Sequence, residues 1–456
     1  MDGADRRRWL AWLLALGLAV AAVAYGGWRW AARARQPRLV DWSPAAGAVL
    51  EPSEAALTLR LSAPAEAAVV QQAVHFDPPL PGRWQADAQG QVWRFVPPAE
   101  GWPRGRPLRV QVGPPLAEPA VDRTFRVRPT WVAYLWPQAA PAQVYALDPA
   151  QGVDAGQRAL TRAPHGVVAF AVAVEDGGLV FSAVNAQGGA DLWFGPWSDP
   201  AAARVWVACG ADWCTDPQVG PDGWVAFVRE PRQGPARVEV ASLRREAHLE
   251  PPAQGATRGP RWSRTGVLAY YDTAAAVYRL WTPAEGSVGR VPNETGEHAA
   301  WGAAGRVFYH VELLEVPPTE PDIPDPRLSA HLLAYDRTTR RTTDLTAAWH
   351  WEDATPAADP TGRYLAFGRK NLRPEAWTPG RQLWLYDLTR AAAYPLTDAA
   401  AYNHLDFAWA PDGRTLAYVR THQLDLSAAP ELWLYDLGSR RHTLLLEGAY
   451  APQWIP

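Results

Sequence analysis

Residues 407–446, FAWAPDGRTLAYVRTHQLDLSAAPELWLYDLGSRRHTLLL, hold four short apolar runs separated by turn residues. FAW (407–409) runs into Pro411-Asp412-Gly413, and TLAYV (415–419) returns from it. A polar loop leads to ELWLY (431–435), a break follows from Asp436 to Ser439, and HTLLL (442–446) ends the stretch. Each run is rich in aromatic, β-branched and Leu residues. Asp-Gly between two such runs is a strong hairpin signal, because glycine tolerates φ > 0 and Asp bonds the local backbone. The stretch reads as a four-stranded antiparallel meander.

The unit recurs towards the N-terminus. Residues 354–397 repeat it as DPTG (359–362), RYLAF (363–367), QLWLYD (382–387) and YPLT (394–397). Looser copies contain RWSRTG (261–266) before VLAYY, AWGAAG (300–305) before RVFY, VGPDG (219–223) before WVAFV, and EDGG (175–178) before LVF. Steps between the turn glycines Gly177, Gly223, Gly266, Gly305, Gly362 and Gly413 run from 39 to 57 residues. A period of roughly 40–50 residues with four strands per unit is the signature of a β-propeller.

The ends of this region fix the count. WVAY (131–134), QVYALD (143–148) and RALT (158–161) match strands two to four with no first strand before them. APQWIP (451–456) matches a first strand, as GPRWS (259–263) does in its own unit. Pairing the two closes the ring and leaves no unpaired edges. Seven blades result.

The pattern W-[SA]-P-D-G-x-x-L-A-Y, then L-W-L-Y-D-L, then L-T, resembles the TolB-like propeller repeat of bacterial extracytoplasmic proteins, a relative of WD-type repeats. It covers about residues 131–456 and is closest in the last two units. The resemblance implies protein–protein contact at the cell envelope. Propellers of this type also precede the hydrolase domain of prolyl-oligopeptidase-type peptidases, whose nucleophile lies in G-x-S-x-G. That motif does not occur in this sequence.

Before the propeller the chain changes character twice. Arg6-Arg7-Arg8 precede an uncharged run over residues 9–28. Twenty residues at 1.5 Å each span roughly 30 Å, about the hydrocarbon thickness of a bilayer. Residues 1–36 therefore read as a cytoplasmic stub and transmembrane helix, with the compact Arg cluster inside. The alternative is a cleaved signal peptide, for which Ala22-Val23-Ala24 supplies a site. Both place the bulk of the chain outside the cytoplasm, membrane-anchored in one case and secreted in the other.

Residues 37–129 show period-two alternation broken by Pro and Gly: ALTLRL (56–61), AVHF (73–76), QVWRFV (91–96), LRVQV (108–112) and RTFRV (123–127). This is the pattern of a β-sandwich. SPAAG (43–47), FVP (95–97) and GRPLRV (105–110) resemble bacterial Ig-like domains of the S-layer-associated type, which implies a spacer. The fold class is thus all-β: an N-terminal helix, an Ig-like sandwich over 37–129 and a propeller over 130–456.

Loop length locates the expected function. Hairpins joining strands one to two and three to four are tight. Insertions fall between strands two and three, at residues 310–329, 369–381 and 420–430 of three neighbouring blades. Loops on a rigid scaffold are where binding usually resides. The same face is expected to receive the blade-to-blade connections at residues 349–353 and 402–406, and also the segment Cys209–Cys214. The expected binding residues are Trp349, His350, Trp351, Glu352, Asp353, Arg369, Lys370, Trp377, Asn403, His404 and Asp406. Aromatics beside His and carboxylates can stack on a ring and bond its polar edges. The competing reading makes these loops polar covers over the funnel rim.

His350, Glu352, Asp353, His404 and Asp406 also carry metal-ligating groups, but no H-x-x-x-H or H-E-x-x-H spacing joins them, and no metal or cofactor is expected. Cys209 and Cys214, the only cysteines, are too few for a structural zinc site. In an oxidising compartment they read as a local disulfide. The formal net charge of −3 implies no nucleic-acid partner. No phosphate-binding loop occurs. The expectation is a non-catalytic binding or scaffold protein contacting another envelope or extracellular protein. The alternative is a propeller-type enzyme or binding protein for envelope or extracellular polysaccharide, motivated by the Trp-rich face. The first requires an exposed apolar patch, the second carboxylates converging in the funnel.

Overall fold

The computed structural model describes residues 16, 36–50, 56–98, 102, 107–127, 130–139, 141–149, 156–317 and 328–456. The apolar run over 9–28, except Leu16, and the Pro-rich segment beyond Pro317 lie outside the described residues. Among the described residues no helix is long and apolar enough to cross a membrane. The chain divides into two units, Met1–Arg128 and Pro129–Pro456.

The first unit contains two four-stranded sheets. One orders Leu39–Ser43, Leu57–Leu61, Val92–Val96 and Arg83–Ala86; the other orders Val49–Leu50, Val121–Val127, Pro107–Val112 and Val74–Asp77. Alternation does the sorting. Pro107–Val112 buries Leu108, Val110 and Val112 and exposes the residues between them. Leu57 and Leu59 from one sheet meet Phe125 and Val127 from the other in a single core. One short helix, Ala67–Ala73, was not expected from the sequence; it buries Val70 and Ala73. Its AAVVQQA run has Ala and Gln, good helix formers, and no period-two alternation.

The second unit consists of seven blades of four antiparallel strands each; blades 2 and 3 are joined into one eight-stranded sheet by a parallel pairing of Ala190 with Trp213. Blade 1 is composite: Trp131–Trp136, Gln143–Leu147 and Arg158–Ala159 are joined by Tyr450–Ile455 as its first strand. The other first strands are Val167–Ala173, Trp213–Val219, Thr257–Trp262, Ala299–Trp301, Trp351–Ala358 and Tyr402–Trp409 for blades 2 to 7. Each packs against the next, and the circuit closes between Tyr450–Ile455 and Val167–Ala173. This is a closed seven-bladed propeller.

The blades pack face to face. Val132 and Tyr134 of blade 1 share a core with Leu432 and Leu434 of blade 7, and Ala366 and Leu385 of blade 6 with Leu416 and Tyr418 of blade 7. Strands buried on both faces read as continuous apolar runs, which is why RYLAF and TLAYV were legible.

Two repeated hydrogen-bond devices hold the units in register. The Trp301, Trp409 and Trp454 indoles donate to Arg261, Ala357 and Ala408 carbonyls of the preceding blade, at 2.8–2.9 Å. Thr161, Thr346 and Thr397 accept from the Val144, Leu332 and Leu383 amides at 2.8–2.9 Å. The tryptophan of the turn motif and the threonine of the closing L-T are therefore structural residues.

The first strands share a further feature. In five blades the ladder shifts at a residue with positive φ: Asp216, Gly259, Thr355, Asp406 and Ala451, between 45° and 59°. Each is a β-bulge. In four of the five a proline follows (Pro217, Pro260, Pro356, Pro452), a residue with no N–H to leave unpaired where the ladder breaks. The bulge lets the first strands run longer than expected. Residues 351–353 and 402–406, expected as connections, are the opening residues of the first strands of blades 6 and 7. The expected insertion over 310–329 is likewise shortened, because its flanks pair as Val307–Glu315 with Leu328–Asp336.

Candidate functional site: the loop face over blades 6 and 7

The first strands of blades 6 and 7 begin on the face that carries the loops between strands two and three. Cross-strand pairing places Glu352 opposite Lys370 and Asp353 opposite Arg369. These two neighbouring pairs have different fates.

Glu352 stays at the surface and gathers cations. Lys370 Nζ lies 3.3 Å from it, and the Arg381 guanidinium bonds its other oxygen. Asp353 is buried. Arg369 Nε and Nη2 donate to its two oxygens at 2.6 and 2.9 Å. The guanidinium lies 4.9–5.2 Å from the Trp351, Phe367 and Trp384 rings. Burial raises the Asp353 carboxyl, and the Arg369 hydrogen bonds oppose that. Blade 7 repeats the device in altered form. Arg420 sits 4.2 Å from both Tyr402 and Trp433 and donates to Glu431 at 2.7 Å, while His404 stands two residues before the bulge, as Asp353 does.

His404 is buried. Its amide and its Nδ1 both meet the Arg381 carbonyl at 2.9 Å, and Asn403 Oδ1 accepts from the Arg381 amide at 2.9 Å. The 372–381 loop is thus pressed onto the first strand of blade 7. Gly380 makes this approach possible, since a Cβ there would stand 2.2 Å from the Tyr402 carbonyl oxygen. Burial pushes the His404 imidazole down to about 4.

Three expected binding residues therefore need correction. Asp353 and His404 lie inside the blades on the bulged first strands, and Arg369 is buried with Asp353 by the bidentate pair across to the second strand, so all three shape the face from below. Trp349 packs against His331 at 4.7 Å and His350 against Trp351 at 4.9 Å, both in the turn entering blade 6. Asp406 is the bulge residue of blade 7 and points to the central channel, where it lines a cavity of about 170 Å³ with Arg261, Glu297, His298 and Thr355. It accepts from the Ala451 amide at 3.3 Å, and the surrounding protein raises its carboxyl. Arg261 is occupied by Asp216 at 3.2 Å. Among the described residues no group of three or more His, Cys, Asp or Glu could hold a metal ion.

The channel continues to the opposite face as a cavity of about 700 Å³. Every blade contributes to its wall: Gln453, Val172, Gln218, Arg261, Ala299, Ala357 and Ala408.

The loop face carries an apolar feature too. Trp377 is 54% exposed in the blade 6 loop, and Leu424 and Leu426 are 73% and 91% exposed in the blade 7 loop. Both loops flank one segment: Gly380 abuts Tyr402, and the Gln423 amide donates to the Ala401 carbonyl at 2.7 Å. Leu424 and Leu426 were not singled out in the sequence. Two leucines in a polar insertion, outside any strand, were the available signal.

Cys209 and Cys214 form a disulfide, S–S 2.04 Å, where blade 2 passes into blade 3. Asp191 Oδ1 accepts from the Cys209 amide at 2.7 Å, and Ser182 donates to the Cys214 carbonyl at 2.6 Å.

No family model matches the sequence. No curated protein matches it either. Solved structures are similar in fold. TolB from Acinetobacter baumannii aligns over 92% of this chain and 99% of its own, at 10% identity and TM-score 0.45. Puromycin hydrolase aligns over 69% of this chain and 52% of its own, at 16% identity and TM-score 0.46. The propeller domain of the Trilobed protease from Pyrococcus furiosus, described as having an open velcro topology, aligns over 59% and 78%, at 12% identity and TM-score 0.44. At this identity and similarity they carry no functional argument. Proteins similar to this chain thus include TolB and other propeller proteins, and its own strand pairing makes the second unit a closed seven-bladed β-propeller.

Proposed function

We propose that the protein is a non-catalytic binding or scaffold module of the cell envelope, which meets a protein partner on the loop face of blades 6 and 7. The observation that carries this reading is the exposure of Trp377, Leu424 and Leu426 on adjacent loops of a rigid ring. Large apolar side chains grouped at the surface are unfavourable in water and mark interaction surfaces. Glu352, Lys370, Arg381 and Asn403 supply a polar rim, the usual surround of an apolar contact. In this reading the first unit is an Ig-like spacer. The apolar run over 9–28 anchors the chain with its bulk outside the cytoplasm, or directs its secretion if cleaved; the disulfide suits an oxidising compartment.

The test is co-isolation from native membranes with the full chain and with a W377A/L424S/L426S variant. The reading expects at least one protein to fall tenfold or more with the variant. Identical profiles from two equally stable proteins would overturn it.

A second reading rests on Asp406. A raised carboxyl beside Glu297 and His298 in a channel cavity is what an enzyme acting on polysaccharide would need for acid–base work. Incubation with neutral and uronic oligosaccharides tests it: product formed by the full chain and abolished in D406N would favour this reading over the first.

A further inference from the structure

The blade 7 loop holds its exposed leucines in a fixed arrangement. His422 Nδ1 accepts from the Leu424 and Asp425 amides at 3.2 and 2.8 Å, and its ring meets Tyr402 at 4.9 Å. Asp425 Oδ1 accepts from the Ser427 amide and hydroxyl at 3.0 and 2.6 Å. The Ala428 amide donates to the Asp425 carbonyl at 3.2 Å. A loop ordered in this way loses little conformational freedom on binding.

Its charge is equally specific. With histidine neutral, Asp425 carries the only formal charge in residues 421–430. The basic side chain that faces it is His422, whose Nδ1 already accepts from the turn's amides. The turn therefore displays apolar, anionic and apolar groups in succession.

We propose that residues 424–426 dock a protein segment presenting an apolar stripe flanked by basic side chains, the surface of a basic amphipathic helix. Leu424 and Leu426 enter the stripe and Asp425 meets a flanking cation. The inference rests on the binding-face reading above and names the chemistry of its partner. Complementary charge selects this occupant: a carboxylate between the two leucines opposes entry into a bilayer, whose core excludes it and whose anionic headgroups repel it.

The test places a photoreactive benzophenone side chain at Ala428 of the full chain, in mild detergent for the peptide probes and after detergent removal for the vesicles. The probes are an eighteen-residue amphipathic helix of Leu and Lys, its Leu/Glu counterpart, and vesicles of phosphatidylcholine with phosphatidylglycerol. The expected result is an adduct with the Leu/Lys helix that falls fivefold or more in L424S/L426S. D425N should lower it several-fold and weaken its dependence on salt. The Leu/Glu helix should give little. Equal labelling by both helices, unchanged labelling in L424S/L426S, or labelling of lipid in place of peptide would overturn the proposal. A second probe position at Trp377 separates the two claims. Peptide labelling there with none at position 428 overturns the docking turn and leaves the binding face standing; no peptide labelling at either position counts against both.

Discussion

Gln453, in the last strand of the chain, accepts a hydrogen bond from the Val172 amide at 3.0 Å while its Nε2 donates to the Phe170 carbonyl at 2.7 Å. One side-chain amide thus bonds both ways to the first strand of blade 2, across the seam where the ring closes. Strand pairing of Tyr450–Ile455 with Trp131–Trp136 completes blade 1, and Gln453 ties that blade to its neighbour.

Gln453→Leu leaves the Val172 and Phe170 backbone groups without these partners. The expected cost is about 1–3 kcal/mol, read by denaturant unfolding. Hydrogen exchange should quicken first in residues 167–173. An unchanged midpoint and exchange pattern would mean that strand pairing alone closes the ring.

Asp353 and Arg369 form a buried bidentate pair, so breaking it from one side leaves a buried charge unpaired. D353L and R369M are each expected to destabilise by about 3–5 kcal/mol, whereas D353L/R369M should lose less than the sum. A double-mutant cycle measures the difference.

The sequence singles out both residues but as surface groups, and the reason is physical. The meander was legible because Asp-Gly turns and apolar runs are local signals with local causes. The position of Asp353 was not. Its burial depends on a bulge at Thr355 that lengthens the strand, and on an arginine sixteen residues away in sequence that pairs with it. The recurring positive-φ residue before proline was visible as D-P, G-P, T-P and A-P, but only the backbone gives those dipeptides a common role. Leu424 and Leu426 were present in the quoted stretch and went unread, because exposure is a tertiary property.

His404 and His310 are both buried, and burial holds each imidazole down at about 4. The unfolded chain binds protons near pH 6.5, so between about 6.5 and 4 it takes up protons that the folded chain refuses. Stability is therefore full above that window and falls as pH drops through it, by roughly 3 kcal/mol per histidine at the acid end. H404N should remove its share of the slope. Urea midpoints between pH 7 and 4 for wild type and variant provide the check.

The Cys209–Cys214 bridge closes a short loop. Loop-closure entropy for so few residues is worth about 2 kcal/mol. C209S/C214S should lower stability by about that amount, and faster hydrogen exchange should be confined to blades 2 and 3. Loss spread evenly over the ring would contradict a local role.

The central claim is that the loop face of blades 6 and 7 meets a protein partner. Its most direct test is photocrosslinking in living cells of the native host, with the benzophenone residue placed singly at Trp377, Leu426 or Tyr394. Tyr394 is also exposed but lies on the outer strand of blade 6. The account predicts a discrete higher-mass protein adduct from positions 377 and 426 and none from 394. Adducts of equal strength from all three positions, or from none, would contradict it.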